Sequence, residues 1–429
     1  GFVLFSDSRK SSNASTNNPV RPDDEENHLR KMQAAAQRKI ANFKKTDPNF
    51  SETLLLDYVQ NVFHQYYSAL GTAKIGNLKP FFFHSPNTND VHRYTEIVIN
   101  ALYVIGLDTV EIGNNSYDRI KIMLETNFTQ THPTTNRRLR YLSEQEWTFV
   151  RAKNVQSLPP AKMQALACPS CGAPESFHDD TKCGACGTII EPATMQWAVQ
   201  SQTNIFDETY HTNALVSYED EMGTTDPTVY AKNLPQMQSE FEQLHSIGSA
   251  QDYFQDFSNN VVRPAFMAIY AAWTAKNLAP VRHLISDFLF QTQDFWIQEY
   301  KAQGLTNHLD DIKITNTLLA KIDIDKFYES FTVRIFANCK DYTVKDSNDK
   351  LVGGNKNSTR AFSEYWTFVR RIGTEQQPKD SLQLDSCPSC SAPLDKMGMT
   401  GICGYCSHKV SSGDYSWVLS RITQDEAYN

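Results

Sequence analysis

Apolar residues recur at helical spacing in two stretches of this chain. The first is Leu55, Val59, Val62, Phe63, Tyr66 and Leu70; the second is Val262, Phe266, Ile269, Tyr270 and Trp273. Steps of three and four place each set on one helix face, so each stretch reads as a helix laid on a core. Alternation of period two appears later. Val333, Ile335, Ala337 and Cys339 alternate with Thr332, Arg334, Phe336 and Asn338, as in a strand with one face in the core and the other half-exposed. Strands are predicted over 119–128 and 330–345, and a further helical stretch is predicted ahead of each. Asn348-Asp349 and Gly353-Gly354 mark a turn. Helices first and strands second predicts α+β architecture, with helices packed on one face of an antiparallel sheet.

The same order of features occurs twice. Cys168-Pro-Ser-Cys171 and Cys183-Gly-Ala-Cys186 are answered by Cys387-Pro-Ser-Cys390 and Cys403-Gly-Tyr-Cys406. Trp147-Thr-Phe-Val-Arg151 lies 21 positions before the first cysteine, and Trp366-Thr-Phe-Val-Arg370 lies 21 before its counterpart. Trp197 and Trp417 each follow the last cysteine of their cluster by 11 positions. Asn77-Leu78-Lys79-Pro80 answers Asn277-Leu278-Ala279-Pro280. The chain reads as a tandem duplication.

The cysteines carry the clearest chemistry. A Cys-x-x-Cys turn aims two sulfurs at one point, and two such turns complete the tetrahedral shell of a structural zinc. The expected ligands are Cys168, Cys171, Cys183 and Cys186 for one zinc ion, and Cys387, Cys390, Cys403 and Cys406 for the other. Gly184 and Gly404 are expected to serve the turns after each third cysteine. Disulfides or free thiols are the alternative; the spacing favours metal, and with it a reducing compartment. His178 and His408 read as surface histidines, because four cysteines already fill each shell. Tryptophan-bearing strands flank each cluster, so each ribbon reads as the replaced tip of a sheet hairpin. Metal binding worth on the order of 10 kcal/mol would fold an insert too small to bury its own core.

Among 429 residues the formal net charge is -8, which argues against nucleic acid as a partner, and the ribbons add few bases, chiefly Lys182, Lys396 and Lys409. No run of 18 apolar residues is present. A start at Gly1 is expected of a processed chain or a fragment. Gly1-Phe2-Val3-Leu4-Phe5, followed by Arg9 and Lys10, reads as the stump of a membrane helix or as a strand.

Phe266-x-x-x-Tyr270-x-x-Trp273, Asn277-Leu278-x-Pro280, Asp341-Tyr-Thr-Val344, Glu364-Tyr-Trp-Thr-Phe-Val-Arg370 and Trp417-Val-Leu419 together resemble the C-terminal domain of the tether subunit of the mitochondrial inner-membrane translocase, the Tim-forty-four-like domain. The second repeat matches over roughly 250–425. The first is more diverged over roughly 47–201, with Leu70 where the pattern prefers tryptophan. The resemblance implies two tandem cone-shaped domains of the nuclear-transport-factor-two type, and membrane-peripheral scaffolding rather than catalysis. It does not carry over the import-motor function, because the zinc ribbons depart from the mitochondrial pattern.

The expected organisation is a flexible lead and basic amphipathic helix at 1–46, a first domain at 47–201 with its ribbon at 166–190, a linker with a short helix at 202–249, and a second domain at 250–429 with its ribbon at 385–410. Leu234, Met237, Phe241 and Leu244 mark the linker helix. Residues 28–45 combine an apolar stripe (Leu29, Met32, Ala36, Ile40, Phe43) with Arg30, Lys31, Arg38, Lys39, Lys44 and Lys45 and no acid. Such a helix can lie on anionic lipid; alternatively its stripe packs on the first domain and its bases are simply solvated. The functional expectation is a non-catalytic scaffold that meets a membrane protein or membrane surface from a reducing compartment, on the bacterial cytoplasmic side. The alternative is an enzyme or small-ligand binder using the pocket of a cone-shaped domain. Its candidate acids, Asp310, Asp311, Asp323 and Asp325, read as surface charge, with Asp310-Asp311 at a turn or helix end. Cys339 reads as core.

Overall fold

The computed structural model describes residues 22–87, 89–163, 167–173, 177–178, 180–209, 222–374, 386–387, 389–393, 403–406, 410–411, 413–425 and 428. The expectations for residues 1–5 and for His408 lie outside these. The chain forms two compact units that divide near residue 212.

In the first unit, helix α1 (Pro22–Thr46) packs along strand β1 and buries Ala36 and Ile40. Helix α2 (Glu52–Ala69) starts where Ser51 Oγ accepts the Leu54 N–H at 3.2 Å, satisfying a free amide of the first turn. It buries the apolar stripe expected from its spacing. The Asn-Leu-x-Pro element is a 3-10 turn, Ala73–Phe81. Strands β1 (Arg93–Ile112), β2 (Asn115–Thr131), β3 (Arg138–Ala152) and β4 (Ala198–Thr209) form an antiparallel sheet in sequence order. The long connection between β3 and β4 holds one turn of helix, α3 (Pro160–Met163), and the first cysteine cluster.

The second unit contains α4 (Leu234–His245), α5 (Ala250–Phe257), α6 (Arg263–Thr274) and α7 (Asp287–Ala302). A π turn, Ser258–Val262, joins α5 to α6. Strands β5 (Leu305–Ile324), β6 (Tyr328–Lys345), β8 (Arg360–Arg371) and β9 (Val418–Gln424) follow, with the short β7 (Leu351–Gly354) beside the end of β6. The sheet order β5-β6-β8-β9 repeats that of the first unit, and the second cysteine cluster lies between β8 and β9. Both units are thus helices on an antiparallel sheet with a ribbon inserted in a hairpin. Their irregularities match as well. The register slips between Thr148 and Phe149 in one sheet and between Thr367 and Phe368 in the other. Phe82 forms a parallel bridge to Val199, and Ile285 forms one to Leu419.

Several expectations are corrected. Among the described residues, no helix follows the Asn-Leu-x-Pro element in the first unit: 83–87 and 89–92 are irregular and β1 begins at Arg93, whereas Ser286 caps α7 in the second. Asp310 and Asp311 lie within β5, not at a turn or helix end. Asp311 takes a left-handed φ of 54° where the register shifts between Asp310 and Lys313, a bulge that mimics turn chemistry in sequence. The outer face of β6 is half-exposed only in part: Phe336 and Asn338 are half-exposed, but Thr332 and Arg334 are buried, Arg334 beneath the segment before α4. Arg334 Nη1 donates to the Asp226 carbonyl at 2.8 Å and to Thr228 Oγ1 at 3.1 Å, and its Nε pairs with Asp425 at 3.1 Å. Residues 202–209, expected in the linker, complete β4. The linker helix is present as α4, with Phe241 buried but Leu244 exposed.

Candidate metal centres

In the first cluster Cys168 and Cys186 Sγ lie 3.9 Å apart, as do Cys171 and Cys183. In the second, Cys387 and Cys406 are 3.7 Å apart, and Cys390 and Cys403 are 3.8 Å apart. Within each cluster all four sulfurs lie within 4.8 Å of one another. Four thiolates at the usual zinc–sulfur distance of about 2.3 Å form a tetrahedron with edges of about 3.8 Å. The donor sets fit that ion. All eight cysteines are unlinked, and their spacings are nearly twice a sulfur–sulfur bond.

Backbone turns set the sulfurs in place. Gly172 N–H donates to the Cys168 carbonyl at 2.7 Å, Gly187 to Cys183 at 2.8 Å, and Ser391 to Cys387 at 2.7 Å. These three residues take left-handed φ values of 81°, 72° and 59°. The residue after the second cysteine of a turn therefore bears the conformational demand. Gly184 and Gly404 lie inside the turns, without left-handed φ, and in the first turn the Cys186 N–H is directed at Cys183 Sγ at 3.5 Å, the kind of contact expected there. The first and third cysteines of each cluster are buried, and the second and fourth are exposed. The Thr188 hydroxyl, 3.3 Å from Cys186 Sγ, with its backbone N–H lowers the Cys186 thiol to about 6, while burial pushes Cys168 up to about 11. His178 is exposed.

Each ribbon is held at its base by a clamp that sequence reasoning missed. Arg151 at the end of β3 places its guanidinium over the Trp197 ring at 4.6 Å, and Arg370 lies over Trp417 at 4.5 Å. Both arginines are buried with an acid. Arg151 Nη2 donates to Asp47 at 2.8 Å, and Arg370 Nε donates to Glu329 at 2.8 Å. Across the ribbon's base Ala152 N–H reaches the Ala193 carbonyl at 2.7 Å, and Arg371 N–H reaches the Gly413 carbonyl at 2.9 Å. Ala193 and Gly413 both have left-handed φ. The repeated arginine after Trp-Thr-Phe-Val was the available signal.

Residues 245–379 match the Tim44-like domain. The match runs from the end of α4 through β8 and stops before Cys387. Among curated proteins, none matches this chain. The Tim44-like domain has a nuclear-transport-factor-two-type α+β fold, and it points to a membrane-associated role in protein interaction.

Inside the matched segment, Glu364 is fully buried. Its Oε2 accepts from Tyr270 Oη at 2.8 Å and from Trp366 Nε1 at 2.9 Å, and its Oε1 accepts from Gln424 Nε2 at 3.2 Å. In the first unit Gln145 takes the same place, accepting from Tyr67 Oη and Trp147 Nε1, both at 2.9 Å. The acids considered for catalysis are not brought together. Asp310 accepts from Tyr342 Oη at 2.6 Å, Asp311 pairs with Lys340 at 2.6 Å, and Asp323 pairs with Lys321 at 2.7 Å. Asp325 accepts from the Phe327 N–H at 2.8 Å. Cys339 is buried in β6, as expected of a core residue. Among the described residues, no helix is long and apolar enough to cross a membrane.

Proposed function

We propose that this chain is a membrane-associated protein-interaction scaffold built from two Tim44-like domains, 47–201 and 250–429, each stiffened by a structural zinc ion. The cysteine geometry is the observation that carries the reading. Cys168, Cys171, Cys183 and Cys186 form one full shell, and Cys387, Cys390, Cys403 and Cys406 form the other. A four-thiolate shell leaves no position for water or substrate, so each metal holds a loop in shape and activates nothing. The matched clamps and register slips support the duplication.

The ribbons supply contact surface. Ile189 is 71% exposed beside Cys186, and Tyr405 is 51% exposed inside the last turn of the second ribbon. Apolar side chains raised on a metal-stiffened loop suit a partner's groove, and two linked sites raise avidity through effective concentration. The partner in this reading is a membrane protein, met from a reducing compartment on the bacterial cytoplasmic side, with no nucleic acid involved. The test is a pull-down from detergent-solubilised membranes with the intact chain and with Cys168→Ser/Cys387→Ser. Recovery of a membrane protein by the intact chain and its loss in the variant support the scaffold. Equal recovery by both, or a catalysed turnover that survives loss of zinc, contradicts it.

A further inference from the structure

After the Ile285–Leu419 bridge the second unit runs into α7, which packs on β5 and β9 and buries Leu289, Phe290, Trp296 and Tyr300. After the equivalent Phe82–Val199 bridge the described residues of the first unit, 83–87 and 89–92, form no helix before β1. Strands β1 and β4 occupy the places of β5 and β9, and no described helix fills the place of α7. A cavity of about 510 Å³ in this unit is bordered by α2, all four strands and Asn87 of that connection. That volume suits a small ligand.

Its lining is aromatic and amide-bearing, with five rings, five Asn or Gln side chains and one acid, Asp207. Tyr67 stacks on Phe128 with ring centres 5.2 Å apart, Tyr94 meets Phe128 edge-on at 5.4 Å, and Tyr141 lies 5.5 Å from Phe128. The Tyr67 hydroxyl is committed to Gln145, and Tyr94 Oη donates to Asp90 Oδ2 at 2.7 Å. These rings therefore offer a ligand their bodies rather than free hydroxyls. Asp207 is the charged residue in the lining, and no lysine, arginine or histidine is among the lining residues. Burial above all raises the Tyr67 phenol above its ordinary pKa; the Gln145 hydrogen bond opposes this, and Tyr66 and then the negative charges of Asp207 and Asp90 add to it. Ring faces carry negative potential too, so the aromatic wall and Asp207 disfavour an anion and favour a cation.

We infer that this cavity binds a small organic cation of the methylated-ammonium class, held by the aromatic wall of Tyr67, Tyr94, Phe128 and Tyr141 and by the carboxylate of Asp207. Among the described residues, the first unit has no counterpart of α7, the helix that packs on β5 and β9 in the second unit.

The test is calorimetric titration of the full chain with choline and with its uncharged isostere, in which carbon replaces the quaternary nitrogen. Choline is expected to bind at least about tenfold more tightly than the isostere, since a desolvated cation–π contact is lost with the charge. Asp207→Asn should weaken choline about fivefold and leave the isostere unchanged. Asp207 is exposed, so its neutralisation leaves the fold intact, which circular dichroism verifies. Competition of choline by phosphatidylcholine vesicles would assign the cation to a lipid headgroup, and lack of competition to a free metabolite. Equal binding of the isostere, an unchanged affinity in Asp207→Asn, or no heat with choline on the order of 10 mM overturns the inference.

Discussion

The guanidinium of Arg370 lies over the indole of Trp417, 4.5 Å from the ring centre. The arginine ends the strand that leads into the second ribbon, and the tryptophan opens the strand that leaves it. Their contact closes the base of the ribbon from inside the core, while four sulfurs close its tip. Arg151 and Trp197 do the same in the first unit, with a different acid, Asp47 in place of Glu329. A flat, permanently charged guanidinium can stack on indole and bond a carboxylate edge-on at once, which an ammonium cannot.

Removing that cation leaves a buried acid without its main partner. Glu329 would retain His245, at 2.6 Å. Arg370→Met is expected to cost about 3–5 kcal/mol in urea unfolding, with Arg370→Lys recovering little of it. A loss below about 1 kcal/mol would show that the clamp is decorative.

Glu364→Gln should be tolerated. The first unit uses Gln145 in the same place; the carbonyl oxygen of glutamine can accept from Tyr270 and Trp366, and a turn of the Gln424 amide lets its oxygen accept from the new NH2. The expected change is within about 1 kcal/mol, whereas Glu364→Ala leaves those donors unpaired and costs about 2–3 kcal/mol or more. Equal losses from the two substitutions would mean that the carboxylate itself is required.

Ala36 and Ile40 of the α1 stripe are buried, and α1 packs on β1, while Leu29, Met32 and Phe43 are half-buried, so contact with lipid would rest mainly on the basic outer face. Co-sedimentation with anionic vesicles should fall as salt rises, since screening shortens the reach of charge to about 8 Å at physiological ionic strength. It should fall further when Arg38, Lys39, Lys44 and Lys45 are neutralised together. Equal binding to neutral vesicles would contradict an electrostatic contact.

Ile189 stands exposed at the first ribbon and contributes little to the core. Ile189→Asp should leave thermal stability unchanged within about 0.5 kcal/mol. It should reduce recovery of the membrane partner severalfold in the pull-down. Undiminished recovery would move the contact surface away from the ribbon tip.

Local chemistry was legible in the sequence, and long-range irregularity was not. Cysteine spacing identified both ribbons, and steps of three and four identified α2 and α6, because these patterns act within a few residues. Strand β1 was hidden. Its register shifts between Thr95 and Val98, Ile99 and Ala101, and Val104 and Gly106, so its apolar residues lose the two-residue alternation that marks a strand. Asp311 looked like a turn residue because a bulge needs the same left-handed backbone. Arg151, Arg334 and Arg370 are each nearly fully buried, against the usual exposure of arginine, and their partners lie far away in sequence. The lack of a helix between Phe82 and β1 was masked by the strong match on either side of it.

The account rests most directly on the metal. Elemental analysis of the purified full chain should give two zinc equivalents, and Cys168→Ser should give one, with the second ribbon's thiols still resisting alkylation until a chelator is added. One equivalent or none in the unaltered chain, or cysteines recovered as disulfides under non-reducing mass analysis, would contradict it.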